Sequence, residues 1–563
     1  MSKAFKQRDF QLRGLPFNGR TAALRALLLT DQGQSAQQAL ASVLDARVEH
    51  KREPSSKDTA GQAGLSAQDR ALCTELVYGC LRTEIRLDFI LSTVLRRPQD
   101  LPRPMRLILA IAVYGLMFQD KVPAHAVIHE AVDQVRRLFG QGLSRVANGA
   151  LRSLQRAGQQ PLQQAFYAEK NKSNKAQLSD ANSQSFSAQC VFYSVPLWIG
   201  NMWRKAYGEQ AALALLQRSF ERPYSALRIN AGHPRARELY DALARGAEFF
   251  AAENAAVSAA AKYLPAREAQ GADCKPSAGE DARADTGTAI GANSEGRQYS
   301  SGAVAESAGS HIVSGLATGA APCVAPGAPL PDGSYATPVK IGQWGLAFAA
   351  GQMPREALGF DLRHWLSQGV LSWQSAGSQV ALLELGLDAW REPVWDACAG
   401  YGGKSMALME WGVPVGLCTD RSVGRLRGLP AQCATLKLPQ PAICIADATQ
   451  PPVRQWHGHI LVDAPCSGLG VLARRPDIRR REPQHLAELE VLQRAMLCRL
   501  AAMLQPGREL AYITCTLNSA ENEKAVEYLA EKNSKIKIVR QWQTSHTHPW
   551  LEGMFGALLR NEG

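Results

Sequence analysis

The sequence predicts a multidomain chain: an all-helical N-terminal domain, a small α+β linker domain and a C-terminal α/β, Rossmann-like domain. Three observations predict it. Apolar residues recur at three- and four-residue spacings from about Gly19 to Gln155. A tract rich in Ala, Gly, Ser and Pro then splits the middle of the chain. Beyond about Val394, short apolar runs alternate with helical ones, as in a parallel sheet flanked by helices.

Each element has its own signal. The front segments AQQALASVLDARV, DRALCTELVYGCLR, RLDFILSTVL, MRLILAIAVYGLMF and HAVIHEAVDQVRRLF are helix-patterned, and Pro98, Pro102, Pro104 and Pro123 fall between helices. A helical domain over 17–160 is expected. Residues 161–189 are polar and aperiodic and read as a linker. The small domain is expected over 190–265, where VPLWIGNMWRKAYGEQAALALLQRSF is helical and YSALRIN strand-like, and again over 334–390. Its two parts flank the insert 266–333, which has too few large apolar residues to offset its ordering entropy and is expected to be disordered. In the C-terminal domain, 391–563, VWDAC, VPVGLCTD, AICIAD, HILVDAP and ELAYITC read as strands, and KSMALMEWG and HLAELEVLQRAMLCRLAAML as helices.

Among 563 residues, 63 Lys and Arg against 51 Asp and Glu leave a net charge of +12, a lean toward polyanionic partners that a basic, non-binding surface explains equally well. No apolar run approaches a membrane span, and the basic N-terminus lacks a signal core, so a cytoplasmic protein with no membrane partner is expected. Twelve cysteines occur without a Cys-x-x-Cys pair or His clustering, which argues for no metal and no disulfide framework.

Ligands of such sheets sit at the carboxyl ends of the strands. The first strand ends in DACAGYGGKS, Asp396 to Ser405. A Walker A loop needs Gly where Cys398 stands, and a dinucleotide fingerprint anchored on Gly400 and Gly402 calls for Gly or Ala where Ser405 stands. The next strand ends at Asp420, placed to grip a ribose, and the third at Asp447. Nicotinamide and S-adenosylmethionine sites share these features, so both remain open at this point. Two further strands end in Asp463-Ala464-Pro465-Cys466 and Thr514-Cys515-Thr516. Either cysteine alone reads as a small buried residue; two beside an Asp and a cofactor loop suggest thiolate chemistry.

VWDACAGYGGKS, VDAPCSGLGVLARRPDIRRR and YITCTLNSAENE resemble the RNA cytosine-C5 methyltransferases that use S-adenosylmethionine. In front, DRALCTELVYGCLRTEIRLDFIL, KVPAHAVIHEAV and RVANGALR are similar to the NusB-like RNA-binding domain of the bacterial 16S ribosomal RNA enzymes of the RsmB/Sun type, and SALRIN and WQSAGSQVALL to the small domain before their catalytic sheet. GMFGALLR is similar to the family's closing strand. The resemblance implies a class I methyltransferase domain and an RNA partner, 16S rRNA first, with a monomer as the default.

It also implies roles. Cys515 is the nucleophile toward cytosine carbon 6, Cys466 serves product release, and Asp463 contacts the base near N3 and lies near the methyl donor. Cys398, Ala399, Gly400, Tyr401, Gly402, Gly403 and Lys404 form the cofactor loop, with Asp420 at the ribose and Asp447 near adenine. Arg425 is a secondary cofactor candidate, and a solvent-facing role fits it equally. The arginines that follow, Arg474, Arg475, Arg479, Arg480 and Arg481, are candidates to hold phosphates around the target base, against the plain reading of a solvated charge run. Two positions depart from the family pattern: Tyr401 replaces a Pro, and Ser375 stands where Asp is common. The rival readings are the same chemistry on tRNA or 23S rRNA, a non-catalytic ribosome assembly factor, and, more weakly, a nicotinamide-dependent dehydrogenase.

Overall fold

The computed structural model describes residues 12, 14–45, 64–120, 122–171, 181–245, 248–249 and 338–563. The insert expected over 266–333 lies outside them.

In the front domain six helices, α1 (Gly19–Asp31), α2 (Ala36–Leu44), α3 (Ala67–Arg82), α4 (Glu84–Ser92), α5 (Arg103–Phe118) and α6 (Ala124–Ala157), turn their apolar residues into one core around Leu24, Leu76, Ile108 and Leu151. Their starts follow local chemistry. The Asn18 side chain accepts from the amides of Arg20 and Thr21, and Ser35 forms a capping box with Gln38. Pro102 and Pro123 cap α5 and α6 as expected, whereas Pro104 falls within the first turn of α5, where its missing N–H costs no helical bond. Gly140, at φ +82°, breaks the path of α6.

The linker read over 161–189 is corrected. Helices α7 (Gln164–Asn171) and α8 (Ala181–Phe192) occupy much of it, followed by α9 (Leu197–Tyr207) and α10 (Glu209–Phe220). Its few aromatic residues account for this. Tyr167 and Phe186 are buried, and the buried Arg86 guanidinium donates to the Tyr167 hydroxyl (2.9 Å) and lies 4.1 Å from the Phe192 ring centre. Such tertiary anchoring overrides a polar composition.

The next sheet runs in the order β2-β3-β4-β1-β7, with β1 (Ser225–Ile229), β2 (Glu248–Phe249), β3 (Val339–Ile341), β4 (Gly345–Phe348) and β7 (Leu371–Trp373). A separate hairpin pairs β5 (Glu356–Ala357) with β6 (Phe360–Asp361).

Seven strands form the larger sheet: β8 (Val394–Asp396), β9 (Val415–Asp420), β10 (Ala442–Ile445), β11 (His459–Asp463), β12 (Glu509–Thr514), β13 (Ile536–Gln543) and β14 (Phe555–Asn561). Their order is β10-β9-β8-β11-β12-β14-β13. The five expected strands are all present and pair in parallel, while β14 runs antiparallel between β12 and β13. Alternate residues feed two cores: Leu461, Ala511 and Ile513 enter one, and Ile460, Val462, Leu510 and Tyr512 the other. The chain reverses direction across the sheet at β8, which opens a crevice at its carboxyl end.

A buried ion pair fastens the small sheet to the larger one. Arg228 of β1 forks onto Glu410 at 2.5 and 3.1 Å and also donates to Gln374 (2.8 Å) and to the Gly403 carbonyl (3.2 Å). Both side chains are almost wholly enclosed, at 3% and 1% exposure. Arg228→Met strands the Glu410 charge, so it lowers stability by about 3–5 kcal/mol. Denaturant titration checks this, and an unchanged midpoint would remove the pair as the fastening.

Asp396, the last residue of β8, is buried and accepts from the Ser405 hydroxyl (2.5 Å) and the Cys398 amide (3.3 Å). Desolvation raises its pKa to about 7 in spite of the Ser405 bond. The stability that this raised pKa contributes is complete below the unfolded value, about 4, and is lost as pH rises through 7. Asp396→Asn should therefore raise the unfolding temperature at pH 8 and change it little at pH 5. Thermal unfolding at both pH values checks this, and an equal change at both contradicts the assignment.

Candidate active site

A cleft of about 930 Å³ opens at the carboxyl ends of β8, β9, β10, β11 and β12. The glycine loop forms its floor. Gly400 and Gly402 take φ +56° and +81°, and the second turns the chain into the helix Gly403–Glu410. Asp420 accepts from the Gly400 amide at 3.0 Å and the Ser422 amide at 2.7 Å, which fixes its carboxylate against the loop. Arg425 stands 3.4 Å from the same carboxylate and is half exposed. Asp447 accepts from the Thr449 amide and hydroxyl, which hold its carboxyl below the usual range. Cys398, Ala399, Gly400, Tyr401, Gly403, Lys404, Asp420, Asp447 and Asp463 line this cleft; Gly402 is buried beneath it.

The two departures are tolerated locally. Tyr401 points outward at 58% exposure. Ser375 caps the helix Ala376–Glu384, accepting from the Ser378 amide at 3.3 Å, so the helix keeps a polar cap without Asp.

Lys404 does not reach outward as a phosphate ligand. Its ammonium is buried and sits 2.6 Å from Asp463. Burial opposes its charge, but Asp463, with Cys515 and Asp396 nearby, outweighs burial and holds the ammonium above its usual range.

Cys466 and Cys515 meet beside this pair. Their sulfurs are 3.2 Å apart, too far for a disulfide and close enough for a thiol to donate to a thiolate. The Cys515 amide also donates to the Cys466 sulfur at 3.3 Å. The hydrogen bond from Cys466 draws the Cys515 thiol below its ordinary range, against desolvation and the Asp463 charge, with Lys404 assisting. The same bond, together with burial, pushes Cys466 well up. The two thiols titrate as a pair, in which the hydrogen bond between them favours a thiolate on Cys515 over one on Cys466.

Glu521 is the residue whose part the sequence reading missed, although the Glu-Asn-Glu run was visible. It is fully buried and accepts from the Ser467 amide (2.8 Å) and hydroxyl (2.5 Å), Gln493 (3.0 Å) and Asn518 (3.0 Å). Ser35, Gln37, Gln38 and Ala41 of α2 also line the cleft, and no local signal announces that.

The arginine run is corrected in three places. Arg479 is buried and donates to the carbonyls of Ser194 (3.0 Å) and Ser219 (2.5 Å), and desolvation lowers its pKa to about 9. Arg480 pairs with Glu84 at 2.6 Å and Asp31 at 3.0 Å, and Arg474 with Glu552 at 2.5 Å. These three brace the loop instead of facing phosphate, because acids and carbonyls remote in sequence fold against them. Arg475, paired with Asp477, and Arg481 do line the cleft. Arg481 donates to the carbonyls of Cys466 (3.0 Å) and Ser467 (2.6 Å).

Known proteins match this architecture. The family described as 16S rRNA methyltransferase RsmB/F matches residues 385–550, and the NusB family matches residues 18–156. The probable ribosomal RNA small subunit methyltransferase B of Synechocystis sp. is 29% identical over 82% of this chain and 81% of its own length. The ribosomal RNA small subunit methyltransferase B of Vibrio cholerae is 25% identical over 85% of each chain. In fold, the crystal structure of PH0851 superposes with a TM-score of 0.60 at 16% identity, covering 97% of this chain and 99% of that one. With a NusB-family match ahead of its methyltransferase match, the chain is similar over most of its length to the RsmB/F methyltransferases.

Proposed function

We propose that the protein transfers a methyl group from S-adenosylmethionine to carbon 5 of a cytosine in RNA, with 16S rRNA as the substrate. The observation that carries this reading is the Cys466–Cys515 approach at 3.2 Å beside Asp463, at the mouth of the glycine-loop cleft. The names of the relatives and of the matching family favour 16S rRNA as the substrate.

The cleft fits the cofactor. A Cβ built on Gly403 would meet nothing within 4 Å, so the loop leaves room for a close ligand. Asp420 and Asp447 offer acceptors for ribose hydroxyls and an adenine amine. Cys398 to Lys404 would hold the remainder. Bound there, S-adenosylmethionine supplies an electrophilic methyl group.

The protein's own groups prepare the acceptor. Carbon 5 of cytosine is a weak nucleophile until a thiolate adds at carbon 6. Cys515 is drawn toward the thiolate by Cys466 and Lys404 and forms the sulfur–carbon 6 bond. The electrons of the 5,6 double bond then make carbon 5 nucleophilic. Asp463, held by Lys404, faces the N3 edge and stabilises the charge that develops there. Once carbon 5 carries the methyl group, Cys466, having released its own proton to solvent after the Cys515 sulfur bonded to carbon 6, takes the carbon 5 proton as a thiolate; the double bond re-forms and the carbon 6–sulfur bond breaks, returning the Cys515 thiolate. The base must be unpaired or extruded to be reached.

A Cys466→Ala protein, incubated with unmodified 16S rRNA and S-adenosylmethionine, is expected to remain attached to RNA on a denaturing gel. Adding Cys515→Ala should abolish the adduct, and Cys515→Ala alone should abolish methyl transfer. Continued methylation by the Cys515→Ala protein would sink the mechanism. Adducts with tRNA or 23S rRNA but none with 16S rRNA would keep the chemistry and reject the substrate.

A further inference from the structure

Two loops carry the thiols, one after each of two neighbouring strands. The Cys466 loop leaves β11 and crosses the end of the sheet, while the Cys515 loop leaves β12. Something must lock them to each other if the 3.2 Å separation is to persist. Two connections do so. Gly470, in the Cys466 loop, donates its amide to the Cys515 carbonyl at 3.1 Å, and its own carbonyl accepts from Gly553 at 2.8 Å. A Cβ there would lie 1.9 Å from the Gly553 carbonyl oxygen, so this contact is a close backbone approach.

The second connection is the Glu521 carboxylate. One oxygen accepts from the Ser467 amide, next to Cys466, and from Gln493; the other accepts from the Ser467 hydroxyl and from Asn518. The Ser467 hydroxyl also lies 2.7 Å from that of Thr516, the neighbour of Cys515. The residue after each cysteine is therefore gathered at a single buried carboxylate. Gln493 comes from the helix Gln484–Ala501, donates to the Pro465 carbonyl as well (2.9 Å), and extends the clamp to the other flank of Cys466. Next in sequence, Asn522 bonds the Thr514 hydroxyl (2.6 Å) and the Thr516 carbonyl (3.0 Å), which fixes the backbone on both sides of Cys515.

We propose that Glu521 is a positioning residue for methyl transfer: it clamps the Cys466 and Cys515 loops so that the Cys466 thiol donates its proton to the Cys515 sulfur. This assignment rests on the two-thiol reading of the site and adds the group that sets the geometry. Glu521 is not among the residues lining the cleft, so it acts through the cysteines and not by touching cofactor or base.

The role predicts a sign that a passive brace does not. The charged and titratable groups facing Cys515 are Cys466, Lys404, Asp463, Glu521 and Arg475. Considered as a charge alone, Glu521 disfavours the Cys515 thiolate, so neutralising it should make that thiolate easier to form. Considered as a clamp, its loss breaks the donated hydrogen bond from Cys466, so the thiolate should become harder to form. Glu521→Gln keeps the shape but sets an amide N–H₂ against groups that donate, which releases the clamp with little change in volume.

The test measures iodoacetamide alkylation of Cys515 against pH by peptide mass, without RNA, in wild-type and Glu521→Gln proteins and in each with Cys466→Ala added. With Cys466 present, Glu521→Gln should shift the Cys515 midpoint up by about one pH unit, the size of one hydrogen bond to a charged group. In the Cys466→Ala background the upward shift should be lost, leaving only the downward shift from removing the Glu521 charge, because the clamp acts through that thiol. A downward or absent shift with Cys466 present, or an equal upward shift in both backgrounds, overturns the proposal. In turnover, Glu521→Gln should lower kcat by up to about 100-fold while KM for S-adenosylmethionine stays as in wild type. If Glu521→Gln does not fold, Ser467→Ala removes one arm of the clamp and should give a smaller upward shift; no shift there overturns the proposal equally. Should the wild type methylate no RNA while the alkylation shifts appear as stated, the functional reading fails and only the clamping of the two thiols by Glu521 stands.

Discussion

The parallel register of β11 on β12 is the constraint on which the site depends. It pairs Asp463 with Ile513, and the ladder continues one step further, where the Ala464 amide donates to the Ile513 carbonyl at 2.9 Å. From that point both chains leave the sheet side by side, which is why Cys466 and Cys515 can meet. A slip of one residue would turn Ile460 and Val462 out of one core and Leu461 out of the other. Hydrophobic burial on both faces therefore brings the two cysteine loops out side by side, and the Glu521 and Gly470 contacts set the sulfurs within that frame.

The loop after Cys466 is then held from the other side by the helices in front of the sheet. The exposed or partly exposed pairs of this contact, such as Arg480 with Glu84 and Asp31, are worth at most about 1 kcal/mol each. Arg479 is different. Its guanidinium is buried on carbonyls, and the nearby Glu84 charge does not make up for its desolvation, an arrangement that gives back direction more than stability. Leu469, Leu472, Ile478 and Leu517 from the two cysteine loops share a core with Phe186, Ile199, Trp203 and Leu216, and that apolar contact supplies most of the adhesion. The arginines choose which way the loop lies.

How much of this was legible follows from the range of the interactions involved. Helices α1 to α6 and the five parallel strands were readable because their apolar periodicities are local properties of the chain. Residues 161–189 misled because helices α7 and α8 are held by a few aromatic residues against partners such as Arg86, far away in sequence. The arginine run misled for the same reason, since Glu84 and Asp31 lie on helices of the front domain. The cysteine pair was readable only because both residues follow strands and the surrounding motifs resemble a known family. Glu521 stood in a quoted motif, yet its four donors come from three separate segments, a convergence that only the folded chain displays.

The placement of β14 also bears on how the protein is made. It lies between β12 and β13 although it follows both in the chain, and its partner across the inner ladder is the strand that leads into Cys515. During vectorial synthesis β8 to β12 emerge first and can pair among themselves, but β12 keeps an open edge until residues 555–561 have left the ribosome. The Cys515 strand is thus left half-paired until residues 555–561 have emerged, which makes this edge the point where a holding chaperone or a misfolded strand exchange would act on the nascent chain.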